Sequence, residues 1–516
     1  MPVLSWPMME SSSIAQKLFL ASVLAPSALT LAWYGYFCLA TREGRRLSEA
    51  QRAHFPLGSL GAWVDLLRVN RRILKEADPR TGLCVQWLGA SKGWAVTKAE
   101  HAEKVLTSSW SRTPPHGGNP EAAVAMSAGT FHIKMFMGFQ SVGVLDGPEW
   151  RNIRNHMSRY VQSSSHLKAQ FDCIHGLANE AMDYFLSPDR PQTQEVSHAL
   201  FTMAYDVLAK AVFGEHSGFL RQLRDTGDTH PVVHALAKTM HEMTRRMGSF
   251  NPLDWVYVLD FLRPSQRDFV RAYQIVWSYV AEIVARRRED QSESFLFHLA
   301  KSESERLIFD NVQTCMWAGH ESTAAALSFT LHELASRPEL QRALEEEVQA
   351  VAGSAGELRY EHMRELKLVS AVMEESLRLH PPAIWTNRAL QEDLVLDGQR
   401  LPKGTIVVVP IHAVHRSPLN WEAPDEFRPE RLLDTTVVPG SQIPFGSMSS
   451  RRVCPGYRLA PFELRVALAT FALRGLRVSR DAGTPLPEIR ANGAFQLCLK
   501  NYLRVTTSQA PVTQAN

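Results

Sequence analysis

The chain has 516 residues, of which 45% are hydrophobic and 21% charged, the balance of a folded globular protein. Its formal net charge of +3 and its lack of basic tracts interleaved with aromatic residues argue against a nucleic-acid partner. The cysteines are widely separated and include no CxxC pair, which argues against a structural zinc site and a disulfide framework.

An uncharged apolar run near the N-terminus, residues 18–40, is 23 residues long. A helix of that length, with a rise of about 1.5 Å per residue, crosses a bilayer, and the run exceeds the apolar part of a usual cleaved signal peptide, which is the alternative. Arginines dominate the following segment "TREGRR", so the positive-inside rule leaves the remainder in the cytosol. The expected division is a flank at 1–17, a transmembrane anchor at 18–40, a basic and Pro/Gly linker at 41–61, a folded domain at 62–506 and a tail at 507–516.

Helical spacing of apolar residues dominates the middle of the chain, as in "GPEWRNIRNHMSRYVQ" and "SYVAEIVARRRED". The longest predicted helix runs from Glu305 to Ser336 and stops before Pro338. A glycine inside a helix costs about 1 kcal/mol relative to alanine. Gly319, in the middle of this helix, therefore indicates either a close approach of another group to the backbone or a tolerated glycine in a buried helix.

Turn and helix-end signals define the elements further downstream. The stretch "PELQRALEEEVQAVAG" opens with proline and ends in glycine, and "LKLVSAVMEESLRLHPP" is ended by two prolines, so both are predicted helices. The stretch "LVLDGQRLPKGTIVVVP" predicts a β-hairpin, because Asp397 and Gly398 form a tight-turn pair. The coarse prediction is a mainly α protein with a small β-sheet region.

Two groups of polar residues on predicted helices could carry chemistry. Glu321 and Ser322 follow two small residues that leave room for a bulky ligand, and an acid beside a hydroxyl can relay protons; an exposed acid and a neutral serine are the alternative. Glu375 and Arg378 are spaced to bond on one helix face, which is usually a surface ion pair unless both residues are buried. Arg431 could extend this pair to a triad.

Cys454 is followed by proline, glycine and a predicted helix, so its sulfur would lie just before a helix N-terminus. There the helix dipole and the free amides lower the pKa of a thiol. A lone cysteine is more often a small buried hydrophobe, which is the competing interpretation. A haem iron, however, takes most of its ligands from the porphyrin and needs one axial ligand from the protein, which a thiolate can supply.

Together these motifs resemble the cytochrome P-450 family. "AGHEST", Glu375-x-x-Arg378, "FRPER" and "FGSMSSRRVCPG" occur in the family's order at suitable separations, and the match continues upstream in "WRNIR". With the N-terminal anchor, the resemblance covers essentially the whole chain in the manner of the microsomal members. It implies the cytochrome P-450 fold and makes residues 62–506 a haem-binding catalytic domain.

The resemblance also implies roles for individual residues. Cys454 would be the axial ligand of the iron in haem b, and the other haem contacts would be Trp150, Arg154, Arg388, Phe445 and Arg452. Glu321 and Ser322 would deliver protons to bound dioxygen. The structural lock around the thiolate loop would be Glu375, Arg378 and Arg431. The substrate pocket would include Cys315, Met316, Ala318, Ala383, Ile384 and Phe495.

The chain departs from the family pattern in three places. Phe445 lies nine residues before Cys454, which is more than the family usually has, and Ser450 replaces a common glycine, so we expect a longer thiolate loop with altered hydrogen bonding to sulfur. Ser322 stands where threonine is usual, and it keeps the hydroxyl. Pro461 is tolerable in the following helix only near its start.

The expected function is that of a haem-thiolate monooxygenase, an oxidoreductase that inserts one oxygen atom from O2 into a lipophilic organic substrate of a biosynthetic or metabolic pathway. Its electrons would come from NADPH through a reductase. It would be a single-pass protein of the endoplasmic reticulum membrane with its catalytic domain in the cytosol; a mitochondrial location is the alternative. A different function of the same fold would be a hydroperoxide isomerase or dehydratase without a reductase, although such relatives tend to lack the acid and hydroxyl pair. A non-enzymatic haem-binding role is a third possibility.

Overall fold

The structure of the protein is a computed structural model. The residues that it describes are 66–88, 91–108, 134, 136–247, 260, 263–289, 294–296, 299, 304–433, 437–480, 488–492 and 496–508. The predicted N-terminal flank, transmembrane anchor and linker lie outside these residues, as does most of the predicted tail. Among the helices of the described ranges, none combines the length and the apolar character needed to span a membrane.

Helices are the main elements of the described chain, and we number them in chain order. They are α1 Leu66–Glu76, α2 Ala99–Ser108, α3 Gly147–Val161, α4 Ser164–Phe185, α5 Ser197–Leu208, α6 Phe219–Thr226, α7 Pro231–Met247, α8 Arg267–Glu289, α9 Glu305–Ala318, α10 Glu321–Leu334, α11 Pro338–Ala352, α12 Lys367–Leu379, α13 Ile411–Val414 and α14 Leu459–Leu473.

The strands are short and form small sheets. They are β1 Leu83–Leu88, β2 Ser91–Val96, β3 Thr193–Glu195, β4 Thr386–Ala389, β5 Leu394–Leu396, β6 Gln399–Leu401, β7 Ile406–Val409, β8 Leu476–Ser479, β9 Glu488–Asn492, β10 Gln496–Lys500 and β11 Tyr502–Thr507. One sheet has the order β1-β2-β7-β4, in which only β2 and β7 run parallel, and another has the order β3-β11-β8. Two hairpins, β5-β6 and β9-β10, complete the described strands. The prediction of a mainly α protein with a small β-sheet region is confirmed.

Local sequence signals set several element boundaries as predicted. Helix α11 has Pro338 in its first turn and ends at Gly353, whose φ of 65° places it in the left-handed region that glycine adopts without strain. The predicted hairpin is β5-β6, and its turn residues Asp397 and Gly398 have φ values of 44° and 81°. Both values are positive, as a type I′ turn requires.

The prediction of a single long helix from Glu305 to Ser336 is wrong. Helix α9 ends at Ala318 and α10 begins at Glu321. A Cβ atom on Gly319 would lie 2.5 Å from Cδ1 of Leu208 in α5 and 2.8 Å from a backbone oxygen of α9. The close approach of a neighbouring helix, and not mere tolerance in the core, therefore explains the glycine.

The core of the protein surrounds helices α10 and α14. Helix α14 contacts α4, α10, α11 and α12, and α10 also packs on α5. Both α10 and α14 bury residues on nearly every side, as expected for helices that are apolar all round. This core fixes the N-terminal end of α14 and the break before α10, and the candidate site lies at these two places.

Candidate active site

The loop that contains Cys454 connects residue 444 to the start of α14. It is closed by a hydrogen bond of 2.9 Å from the Cys454 amide to the Phe445 carbonyl oxygen. The turn after Phe445 depends on Gly446, which has a φ of 81°. Pro461 lies in the first turn of α14, where its missing amide costs no helical hydrogen bond.

The longer loop has its own internal hydrogen bonds. The Ser450 amide donates to the Ser447 carbonyl at 3.0 Å, and the Ser450 hydroxyl oxygen accepts from the Arg452 amide at 3.2 Å. Ser447 also donates through its hydroxyl to Glu103 of α2 at 2.8 Å. Ser450 has a negative φ, unlike Gly446, so this backbone has no need of glycine four residues before the cysteine.

Cys454 is half-buried, and three effects of its surroundings act on the pKa of its thiol. Desolvation by the surrounding protein raises the pKa of Cys454, whereas the Gly456 backbone amide and the Arg154 guanidinium oppose that rise. The expectation that a helix N-terminus would lower the pKa is therefore not met in the protein alone. The groups that favour the thiolate are present, but burial outweighs them.

Arg154 acts on this thiol, and a tryptophan packs against an arginine of the thiol loop. The Arg452 guanidinium stacks on the Trp150 ring, 3.9 Å from its centroid, and both residues are buried. Arg452 also donates to the Leu145 carbonyl oxygen at 2.9 Å and pairs with the Asp146 carboxylate. Sequence analysis missed Asp146, whose side chain bonds Arg452 although its position is the N-cap of α3.

Arg388 is held on a different element from the other predicted haem contacts. It lies on β4 and is buried, and it donates to the Thr386 hydroxyl at 3.1 Å and to the Asn387 carbonyl at 2.7 Å. The described contacts therefore bring Arg154, Arg452 and Trp150 to the thiol loop, and they place Arg388 on the sheet.

The break between α9 and α10 contains the predicted acid and hydroxyl. Glu321 is buried at the first position of α10, and the neighbouring Ser322 donates its hydroxyl to the Ala318 carbonyl oxygen at 3.0 Å. Thr323 has its hydroxyl 3.5 Å from the Gly319 carbonyl oxygen. The two hydroxyls thus lie beside backbone carbonyl groups at the C-terminal end of α9. Carbonyl groups at that end of a helix have no hydrogen-bond partner within the helix.

Glu375, Arg378 and Arg431 lie together in the protein interior. The Arg378 guanidinium donates to both Glu375 carboxylate oxygens, at 2.8 and 2.9 Å, and neither side chain is exposed. Arg431 donates to the same carboxylate at 3.1 Å. The remaining Arg378 donors reach carbonyl oxygens of residues 415, 424 and 426, so the pair also fastens the chain that leads towards the thiol loop.

His415 is a further member of this network that sequence analysis missed. Its Nδ1 lies 3.0 Å from the Arg378 carbonyl oxygen, and its Nε2 accepts from the Ile443 amide at 2.8 Å. Complete burial lowers the pKa of His415 to about 3, so the ring is neutral and can donate from one nitrogen while it accepts at the other. His415 therefore ties α12 to the segment just before Phe445.

The residues predicted for the substrate pocket differ in how exposed they are. Ala318 and Ala383 are exposed, and Ser322 lies one turn beyond Ala318 on the same side of the broken helix. Met316 and Ile384 have no exposed surface and pack within the hydrophobic core. Cys315 is also buried, and Phe495 lies outside the described residues. Helical periodicity explains why the exposure of Met316 differs from that of Ala318, since the two residues point to different sides of α9.

These residues suit an iron held by a porphyrin. No group of three or more His, Cys, Asp or Glu side chains in the described parts of the chain could hold a metal ion by itself. One thiol with an amide donor and nearby guanidinium groups is instead a fitting donor set for a metal with a single protein ligand and an anionic organic cofactor.

The comparisons with known proteins agree with this donor set. The family model for cytochrome P450 matches residues 116–502, and the chain therefore belongs to the cytochrome P450 family. The resemblance inferred from the motifs is confirmed. Membership implies a haem cofactor and an oxidoreductase activity of the monooxygenase class.

Similar proteins include mammalian cytochromes P450. Cytochrome P450 3A13 of Mus musculus is 28% identical over 375 residues, which cover 67% of this chain and 71% of the relative. Cytochrome P450 3A1 of Rattus norvegicus is 27% identical over 403 residues, which cover 72% and 77%. A shorter match to cytochrome P450 3A29 of Sus scrofa, 156 residues at 38% identity, covers 30% of this chain and 31% of the relative.

Proposed function

We propose that the protein is a haem-thiolate monooxygenase that inserts one oxygen atom from O2 into a lipophilic organic substrate, with electrons from NADPH through a reductase. The observation that supports it best is the setting of Cys454, a lone thiol beside the Gly456 amide and the Arg154 guanidinium, in a chain of the cytochrome P450 family. A cationic and amide-rich setting of this kind favours a thiolate ligand once a metal neutralises its charge.

Particular side chains would hold haem b in this proposal. Cys454 would be the protein ligand of the iron, and Phe445 would close the thiol loop through its carbonyl bond to the Cys454 amide. The carboxylates of the cofactor would be bound by Trp150, Arg154, Arg388 and Arg452. When bound, a thiolate-ligated haem activates dioxygen for attack on unreactive C–H bonds.

The acid and the hydroxyl between α9 and α10 would deliver protons to the site. Ser322 donates its hydroxyl proton to the Ala318 carbonyl oxygen, and a rotation of the side chain could turn that proton towards a bound ligand. Glu321 is the neighbouring buried carboxyl group that would resupply this proton. Glu375, Arg378 and Arg431 would keep the thiol loop in place through the chain that leads to it.

The membrane location is proposed from the sequence. Residues 18–40 would anchor the protein in the endoplasmic reticulum membrane, with the catalytic domain at 62–506 in the cytosol. A membrane-dissolved, lipophilic substrate agrees with the exposed apolar side chains of Ala318 and Ala383.

Replacement of Cys454 by serine tests the proposal. The full-length protein in membranes should show the ferrous carbon monoxide absorption band of thiolate-ligated haem, and Cys454→Ser should lose it. Cys173→Ser, which alters another partly exposed thiol, is the matched control and should keep the band. Retention of the band in Cys454→Ser would refute the ligand assignment.

A second experiment tests the reaction. Membranes reconstituted with a reductase and supplied with NADPH and a lipid or terpenoid extract should give products heavier by one oxygen atom, with label from 18O2. Products formed from a hydroperoxide without NADPH, and no labelled product with it, would favour the isomerase or dehydratase activity instead.

A further inference from the structure

The turn between α3 and α4 contacts the chain just after Cys454. Gln162 follows the last residue of α3, and Ser163 caps the N-terminal end of α4 by accepting from the His166 amide at 3.1 Å. The half-buried side chain of Gln162 donates its amide to the Pro455 carbonyl oxygen at 2.9 Å. Since Pro455 directly follows Cys454, this side chain bonds the backbone next to the sulfur.

The Pro455 carbonyl and the Gly456 amide belong to the same peptide group. Burial raises the pKa of Cys454, and the Gly456 amide, which donates to the sulfur, opposes that rise. In a trans peptide the carbonyl and the N–H point in opposite directions, so one peptide group can bond the sulfur on one side and Gln162 on the other. Two hydrogen bonds are therefore connected in series, from Gln162 to the carbonyl and from the amide to the sulfur.

Arg458 fixes the turn that carries Gln162. Its guanidinium donates to the Gln162 carbonyl oxygen at 2.7 Å and to the Ser164 hydroxyl oxygen at 3.1 Å. Arg458 lies four residues after Cys454, beyond the peptide that the Gln162 side chain bonds. The contacts thus form a closed ring: the chain after the thiol holds the turn, and the turn holds the peptide that bonds the sulfur.

Helix α3 is attached to the thiol loop on both sides of the cysteine. Before Cys454, the Arg452 guanidinium stacks on the Trp150 ring near the start of α3. After Cys454, the Gln162 amide bonds the Pro455 carbonyl oxygen at the other end of the helix. Two attachments of one helix give Gln162 a fixed position relative to the sulfur.

Hydrogen bonds in series strengthen one another. A peptide carbonyl that accepts a bond draws electron density from its nitrogen, so the N–H of the same peptide becomes a stronger donor. This cooperativity strengthens a bond by roughly 10–30%. A bond to a charged acceptor is stronger than a bond to a neutral one, so the effect is greatest when the sulfur is a thiolate. The Gln162 amide should therefore increase the negative charge that the sulfur keeps.

We infer that Gln162 is a positioning residue that strengthens the hydrogen bond to the Cys454 sulfur through the peptide between Pro455 and Gly456, and so favours reduction of the haem iron. The inference rests on the proposed function, since it assumes that this sulfur binds that iron. In the step concerned, ferric iron takes one electron from the reductase and becomes ferrous. A sulfur that gives less charge to the iron favours the ferrous state, whose positive charge is lower.

The reduction potential of the haem-loaded, full-length protein tests the inference. Absorption spectra report the ferric and ferrous fractions, without substrate, while the potential is set. Gln162→Met keeps the length of the side chain and removes the donor, so the equilibrium constant for reduction should fall about twofold to fivefold. For a one-electron couple this is a fall of about 20–40 mV. A potential equal to that of the wild type would overturn the inference.

Gln442→Met is the matched control. Gln442 is also half-buried, and it donates its side-chain amide to the Glu374 carbonyl oxygen at 3.0 Å. This bond attaches the segment before Phe445 to α12, but it ends at a carbonyl of that helix instead of at a peptide next to the sulfur. Gln442→Met should therefore keep the wild-type potential. Equal falls in Gln162→Met and Gln442→Met would indicate a loosened loop as the cause and would overturn the inference.

The iron–sulfur bond provides a second measurement. A weaker hydrogen bond lets the sulfur give more charge to the iron, so the iron–sulfur stretching frequency in the resonance Raman spectrum should rise in Gln162→Met. Gln162→Asn keeps the amide group but shortens the side chain by one methylene, and it should change the potential and the frequency in the same directions. Gln442→Met should change neither. A lower potential with an unchanged frequency would assign the fall to another cause and would overturn the inference.

The ferrous carbon monoxide spectrum separates this inference from the proposed function. The wild type and the three variants should all show the band of thiolate-ligated haem, because Cys454 is present in each. A wild type without the band would refute the proposed haem site. A wild type with the band and with the same potential as Gln162→Met would overturn only the role of Gln162. If Gln162→Met alone loses the band, the potential of Gln162→Asn decides by the same criterion.

Discussion

Glu375 and Arg378 face each other across one turn of α12 through two hydrogen bonds of 2.8 and 2.9 Å, and neither side chain is exposed to solvent. A charge left alone in that place would have no water to solvate it. We therefore expect Arg378→Met to lower the free energy of unfolding by about 3–5 kcal/mol, as measured by urea denaturation. Arg342→Met breaks an exposed pair of the same spacing, with Glu339, and should cost less than about 1 kcal/mol. Equal losses in the two variants would contradict the argument.

The neutral His415 should make the stability of the protein dependent on pH. Its pKa is about 3 in the folded protein and about 6.5 in an unfolded chain, so below pH 6.5 the unfolded state binds the additional proton. Its contribution is complete above that pH and is lost as the pH falls towards 3. The difference in unfolding free energy between the wild type and His415→Gln should shrink by about 1 kcal/mol from pH 6.5 to 5.5. Denaturation curves at the two pH values measure it, and a constant difference would contradict the neutral ring.

Gly319 should not tolerate a methyl group while Leu208 is present. Gly319→Ala would place Cβ 2.5 Å from Cδ1 of Leu208, and we expect a loss of about 1–3 kcal/mol in chemical denaturation. The loss should be smaller when the substitution is made in a Leu208→Ala background. A Cβ atom on Gly176 of α4 would meet no atom within 4 Å, so Gly176→Ala should be neutral or slightly stabilising. Equal losses from Gly319→Ala in both backgrounds would exclude the clash as the cause.

The Ser322 hydroxyl should govern how efficiently electrons are used. Ser322→Ala removes the group that bonds the Ala318 carbonyl oxygen, and we expect a several-fold fall in product formed per NADPH with more hydrogen peroxide released. Ser322→Thr keeps the hydroxyl and restricts its rotation, so it should match or exceed the wild type. Thr323→Val, at a buried hydroxyl one residue further on, is the control and should leave this ratio unchanged. The proton role of Ser322 would be wrong if Ser322→Ala used NADPH as efficiently as the wild type.

Residues that act through short-range geometry could be predicted from the sequence. The hairpin turn at Asp397 and Gly398 and the ends of α11 follow from the backbone preferences of glycine and proline, which hold in any surroundings. The pairing of Glu375 with Arg378 could likewise be predicted, because their spacing brings the two side chains together on a single helix. Their burial depends on the packing of other elements around α12. Because the pair is buried, loss of one partner costs more free energy of unfolding than it would at the surface.

Other features depend on parts of the chain that are distant in sequence, and only the tertiary structure decided them. The break in the long helix exists where Leu208 of α5 meets Gly319, and no pattern within residues 305–336 contains that leucine. Packing against neighbouring helices and strands likewise decided that Met316 and Ile384 have no exposed surface.

The sequence by itself determined the family, the mainly helical fold and the position of Cys454 just before a helix, because these follow from the order and spacing of residues along the chain. The tertiary structure alone decided that His415 joins α12 to the segment just before Phe445 and that Asp310 and Asn311 accept from the amides of Gln140 and Val142. Buried polar groups must find partners wherever the fold brings donors and acceptors together, and that pairing is settled only when the distant segments meet.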